Sequence, residues 1–233
     1  AVDRNGLEGA EAICTAQLDG DNPGVDDGDN ENGEGSGDNT GDNTEPDDEI
    51  VFASGDGTEN NAYVIENTTQ LAKLAEYVNG DDAEEWNAKY YKLGADIDLN
   101  NMAWTPIGSA KNKPFKGNFD GAGHVIKNLN VTLTSTLKTS GLFGFIDGAT
   151  ITKVGINDAT VATESGLEYD GVATNRWIAG VLIGAVTDQS TGNVISDCYV
   201  KNAVMNLTIK GTDGQPLESA GTIVGCSYND STY

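Results

Sequence analysis

Asp96 and Asp98 stand two residues apart in "KLGADIDL". On a strand, residues at that spacing project from one side, which would hold the carboxylates roughly 7 Å apart. Carboxyl pairs about 6.5–9.5 Å apart can activate water for glycoside cleavage, and closer pairs can pass through a covalent sugar intermediate. Asp120, in "GNFDGAG", is a third acid of this kind. Asp is nevertheless ordinary at turns and strand edges, so a structural role is the simpler reading. His124 is the sole histidine, which excludes an HExxH zinc protease within this sequence. It follows a turn in "DGAGHVI" with no nucleophile signature around it. GxGxxG and Walker patterns are absent, so nucleotide binding has no support. No catalytic residue is assigned, and the chain is read as non-enzymatic.

Other residue types suit binding. Trp177, Tyr90 and Trp104, with Trp86 and Tyr91, could offer flat rings to a carbohydrate. The competing reading is packing, because aromatics bury large areas wherever they can. Asp27, Asp29 and Glu31 alternate as in calcium loops, making calcium the one cofactor suggested. The loop glycine falls one place late, at Gly33, and no bidentate Glu follows at the required distance.

Those acids sit in an unusual stretch. Residues 19–49 hold 13 acidic residues, no basic one and a single large apolar residue, Val25. Such a segment buries too little apolar surface to offset its ordering entropy, so it reads as an acidic, low-complexity tether. The whole chain of 233 residues carries a formal charge of -24, of which residues 1–49 contribute -15. Nucleic acid is therefore an unsuitable partner, and anionic membrane surfaces are disfavoured. No apolar run approaches membrane-spanning length. Residues 1–18 form a short N-terminal segment that fits a strand or a helix equally. Three cysteines without CxxC spacing indicate neither a disulfide framework nor a zinc site.

The elements that would position these side chains come from a repeat. "SGLFGF" at Ser140 returns as "AGVLIGA" at Ala179 and "AGTIVGC" at Ala220. Its glycine pairs are Gly141 and Gly144, Gly180 and Gly184, and Gly221 and Gly225. A second element recurs as "VIKNLNV", "TITKVGI" and "VISDCYV". It matches Ile126 with Ile151 and Ile195, Leu129 with Val154 and Cys198, and Val131 with Ile156 and Val200. Recurrence of this kind signals stacked supersecondary units. Each glycine-flanked unit reads as a short strand pinned by tight corners. Cys198 and Cys226 then occupy apolar slots and read as core residues, Cys226 matching Phe145 and Ala185.

The glycine-flanked unit resembles the GLUG motif of secreted bacterial surface proteins, found also attached to immunoglobulin-A metallopeptidases. The preceding "GDGTENNAYVIENTTQLAKLAEYVN", "YYKLGADIDLNN", "WTPIGS" and "PFKGNFDGAGHVIKNLNV" extend the resemblance over about residues 54–233. It implies a mainly β chain, a right-handed parallel β-solenoid or β-helix, export to the extracellular space or bacterial cell surface, and a role in adhesion.

The solenoid is expected over residues 50–233. One short N-terminal helix over 67–79 would cap it, with Asn67 at its start and Gln70 reaching back. Leu71, Leu74, Ala75 and Val78 would face inward. "KLGADIDL" should alternate Leu93, Ala95, Ile97 and Leu99 against Asp96 and Asp98, and "PFKGNF" should place Phe115, Gly117 and Phe119 on one face. The domain reads as truncated or continued at its C-terminus, leaving an apolar last coil. Spans 158–178 and 186–193 are the first candidates for contacts. Three functions follow: an adhesion, display or assembly protein; a carbohydrate-binding or carbohydrate-active solenoid; or an accessory region of a larger secreted peptidase. Partners would be a host or surface protein, a glycan, or neighbouring subunits of a surface assembly.

Overall fold

The computed structural model describes residues 52–169, 177–187, 192–211 and 219–227. Strand β1 (Tyr63–Ile65) leads into helices α1 (Thr68–Asn79) and α2 (Ala83–Trp86), then strands β2 (Tyr90–Leu93) and β3 (Ile97–Asp98). Next come β4 (Asn118–Asp120), β5 (Val125–Lys127), β6 (Asn130–Leu133) and β7 (Phe143–Ile146). The following six are β8 (Thr150–Thr152), β9 (Gly155–Asn157), β10 (Thr160–Thr163), β11 (Glu168–Tyr169), β12 (Ile178–Gly180) and β13 (Ile183–Val186). Then come β14 (Val194–Ser196), β15 (Tyr199–Lys201), β16 (Val204–Asn206), β17 (Lys210–Gly211), β18 (Ser219–Gly221) and β19 (Val224–Ser227).

The chain is mainly β, and its pairings between named strands are parallel. Strands β8 to β13 enter six sheets in turn, and β14 to β19 enter the same six in the same order. The longest sheet runs β1-β2-β4-β8-β14, and a second runs β3-β5-β9-β15.

In-register pairing stacks like on like. Tyr91, Phe119, Ile151 and Ile195 form one column. Ile97, Ile126, Ile156 and Val200 form the next, and Val131, Val161 and Met205 a third. All but the last member of each column are buried in one apolar core. Each such aliphatic side chain contributes about 1.5–3 kcal/mol.

This register corrects the expected correspondence of the second element. Ile126 pairs with Ile156, not Ile151, whose partner below is Phe119. Leu129 is accordingly out of line with Val154 and Cys198. The cause is a five-residue step inside each coil: Ile151, Ile156 and Val161, then Ile195, Val200 and Met205. At the corner between steps one residue turns left-handed, as Asn128, Asp158 and Asn202 do at φ 56°, 58° and 55°. Asn and Asp tolerate that conformation better than other side chains. Successive sides of one coil therefore look alike in sequence, and the apolar pattern fits two registers.

The glycine units align as expected at their second glycine. Ile183 pairs with Phe143 and Val224, which brings Gly144, Gly184 and Gly225 into one ladder. Gly180 pairs with Gly221 directly. Between Thr139↔Ile178 and Phe143↔Ile183 the second unit holds one extra residue, accommodated at the turn after Gly180. A β-carbon on Gly180 would lie 1.9 Å from the Ile183 carbonyl oxygen, so only glycine fits this tight return.

Helix α1 buries Leu71, Leu74, Ala75 and Val78, the face expected for it. Asn67 Oδ1 accepts from the Gln70 amide at 3.0 Å. Gln70 reaches back one residue further than a capping box does, its Oε1 accepting from the Glu66 amide at 2.7 Å. Helix α2 is a second, single-turn helix absent from the sequence-based expectation, since four residues carry too little periodicity to register. "KLGADIDL" keeps its alternating burial but is two strands, broken by a corner at Gly94–Asp96.

Candidate functional site

The acids singled out in the sequence lie on a seam between consecutive coils. Asp96 Oδ1 accepts from the Val125 amide at 3.0 Å and lies 3.2 Å from His124 Nδ1. Lys127 Nζ approaches its other oxygen at 3.6 Å. Asp98 Oδ1 accepts from the Asn100 amide and from Asn128 Nδ2, each at 2.8 Å. The Val125 N–H, then His124, holds Asp96 below the usual carboxylate range. Asn128, then the Asn100 amide, does the same for Asp98.

Asp96 is thus fixed by donors of the next coil, and Asp98 by one donor of the next coil and one of its own turn; both are kept ionised, the reverse of what a general acid requires. Asp120 is turned into its own corner, accepting from the Ala122 amide at 2.9 Å. The arrangement ties coil to coil. A further rung of the seam joins Asn202 Nδ2 to Asp158 Oδ1 at 3.1 Å. Lys127 and Asn128 were missed as partners because they become neighbours of Asp96 and Asp98 only under the correct register.

The aromatic candidates separate. Trp104 and Trp177 are buried, with 7% and 5% of their surface exposed. Trp104 Nε1 donates to the Leu142 carbonyl at 3.2 Å. Trp177 Nε1 donates to the Thr134 carbonyl at 2.7 Å, and Lys138 Nζ lies 4.3 Å from its ring centre. Both rings are therefore packing residues whose polar edge is satisfied, the competing reading of the two, and neither presents a free face as a binding residue would. Tyr90, half-buried in β2, is on a different element, and the structure does not gather the three into one site.

Trp104 does reach the wall of a cleft of about 420 Å³ beside α1, with Ala72, Ala75, Glu76, Asn79 and Thr105. That volume falls in the small-ligand range. Asn79 is already spent, donating to the Pro106 carbonyl and accepting from the Ser109 amide.

Asp27, Asp29 and Glu31 lie outside the described residues, as do parts of the spans 158–178 and 186–193. Among the described residues, no group of three or more His, Cys, Asp or Glu stands together to hold a metal. None of the described helices is long and apolar enough to cross a membrane. Cys198 aligns with Val154 and is half-buried, its thiol pushed up by burial. Cys226 pairs with Ala185, which pairs with Phe145, as the repeat predicts.

No family model matches the chain. A protein provisionally described as a Gly-rich membrane protein, from Evansella cellulosilytica, is 29% identical over 155 residues. The match spans 62% of this chain but only 15% of that protein. A crystal structure provisionally described as an immunoglobulin A1 protease, from Bacteroides ovatus, is similar with a TM-score of 0.47 and 23% identity. That likeness covers 76% of this chain and 56% of the other.

Proposed function

We propose that residues 50–233 form a right-handed parallel β-solenoid of the GLUG type. It acts without catalysis as an exported bacterial cell-surface module for adhesion, display or surface assembly. The observation that carries this reading is the return of β14–β19 to the six sheets of β8–β13 in unchanged order. A rigid stack of that kind holds its perimeter loops in fixed positions, and recognition is commonly placed on such loops. The bacterial relative described as a Gly-rich membrane protein supports a surface location.

A carbohydrate-binding role is the second reading; the cleft beside α1 is where the described residues leave room for a small ligand. The accessory-region reading rests on the GLUG resemblance alone.

Two measurements test the proposal. Protease shaving of intact source cells should release peptides of residues 50–233; release only after lysis would overturn the surface assignment. A glycan array run alongside a reducing-end assay separates the functions. Glycan binding with no sugar release would promote the second reading, and sugar release lost in Asp96→Asn/Asp98→Asn would overturn the non-enzymatic one.

A further inference from the structure

Helix α1 closes the edge of the first coil at two places and leaves a gap between them. At one end the Thr68 hydroxyl donates to the Asp98 carbonyl at 2.9 Å. At the other, Asn79 Nδ2 donates to the Pro106 carbonyl at 2.9 Å and Asn79 Oδ1 accepts from the Ser109 amide at 2.7 Å. Residues 103–105 lie between. Their burial alternates exposed, buried, exposed, as in a strand, and Thr105 precedes Pro106, which favours extended backbone. The Trp104 amide donates to the Asn130 carbonyl at 2.8 Å, within the parallel bridge of Ala103 and Asn130. Successive residues of a strand direct their amides to opposite edges. Those of Ala103 and Thr105 therefore point away from β6 and toward α1. Neither residue's N–H or C=O has a hydrogen-bond partner among the described residues. Such groups are a template for a further strand.

The cleft of about 420 Å³ opens on this edge, its α1 side kept small by Ala72, Ala75 and Gly80. Met102, the residue before the edge, is 52% exposed, and its thioether adapts to varied apolar partners. The polar side chains of the wall are largely spent. Glu76 pairs with Lys73 at 3.1 Å, Asn79 holds the turn at 106–109, and Trp104 Nε1 faces inward to the Leu142 carbonyl. What remains is main chain at alternate residues. An extended peptide recognises that pattern, whereas a small ligand is oriented by converging polar groups.

We propose that this edge and cleft receive an extended, basic segment of a partner protein, added as a strand along residues 103–105. One apolar side chain of the segment is seated among Ala72, Ala75 and Ala103. The proposal rests on the stacked-coil reading above and gives the surface module its kind of partner. Charge sets the sign of that partner. Residues 52–113 carry ten acidic residues against five lysines, and of these lysines Lys73 and Lys113 are already matched with Glu76 and Asp81. Main-chain bonds to the edge supply affinity, and the seated side chain supplies selectivity.

The test is fluorescence anisotropy of the full chain with a labelled peptide alternating lysine and valine. It is run at about 0.15 M salt, where long-range attraction to an acidic chain is screened. A twin peptide N-methylated at every residue keeps the charge and side chains but has no N–H donors. The plain peptide should bind saturably, at least tenfold more tightly than the twin, and should slow hydrogen exchange at the Ala103 and Thr105 amides. Ala72→Trp fills the cleft from an exposed position, and Thr105→Pro deletes an unbonded N–H. Each should weaken binding at least tenfold while protection of 118–120 and 150–152 stays unchanged. Should a variant lose that protection, the comparison with the twin on the unsubstituted chain decides. No saturable binding, equal affinity for the twin, or indifference to either folded variant would overturn the proposal. Chitohexaose slowing exchange at Ala103 and Thr105 where the peptide does not would overturn it in favour of a glycan. Lack of protection at 118–120 and 150–152 in the unsubstituted chain would instead overturn the stacking on which it rests.

Discussion

Thr139 Oγ1 lies 2.0 Å from where a β-carbon on Gly184 would stand, with the Ser140 and Gly144 carbonyl oxygens at 2.5 and 2.8 Å. Gly184 therefore marks contact between successive coils, and the backbone atoms there cannot give way cheaply. Gly184→Ala should destabilise the fold by about 1–3 kcal/mol or more through overpacking. Urea denaturation checks this, with Gly123→Ala as the comparison: no atom lies within 4 Å of a β-carbon there. Its cost should be only the left-handed backbone penalty of about 1–2 kcal/mol.

Lys113 closes the C-terminus of α1 from a distant loop. Its Nζ donates to the Asn79 and Gly80 carbonyls at 3.2 and 2.6 Å, and Asp81 lies 3.5 Å away. The helix has no basic residue of its own in its last turn. Lys113→Met should cost about 1 kcal/mol, the range for a cation at the negative end of a helix. Exchange of the amides of 76–80 should accelerate more than that of β8.

Acid should loosen the seam. The folded pKa values of Asp96 and Asp98 are lowered, so their contribution is present above the unfolded value, about 3.9. It is lost as pH falls through the folded values. Thermal melting should therefore drop below about pH 4. Asp96→Asn/Asp98→Asn should melt lower at neutral pH and show a flatter acid limb; an unchanged limb would remove the seam from the explanation.

The columns predict a gradient along the stack. Phe119→Ala should cost about 3–5 kcal/mol and Ile156→Ala about 2–5 kcal/mol, since both are fully buried. Val200→Ala, at a half-buried position, should cost less than either, and urea denaturation of the three variants side by side checks the order.

Much of this architecture was legible in the residues. Gly144, Gly184 and Gly225 align because glycine is the one side chain that close coils permit, and that constraint leaves a visible mark. The buried face of α1 was legible for the same reason: its apolar spacing has a single helical solution. The register of Ile126 was not, because a five-residue step inside the coil imitates the repeat between coils. The Asp98–Asn128 bond was hidden with it, as its partners are 30 residues apart. Trp177 stayed open between binding and packing because an isolated aromatic carries no periodicity to say which way it points.

The offset between paired residues shrinks from 32 at Asn118↔Thr150 to 30 at Val125↔Gly155. Two residues are absorbed at the Gly121–His124 corner while Phe119 and Ile126 hold their columns. Length can thus change at that bend without cost to the interior. A foreign peptide grafted between Ala122 and Gly123 would be carried on the outside of an unaltered stack, making this bend a natural insertion point for engineered epitopes.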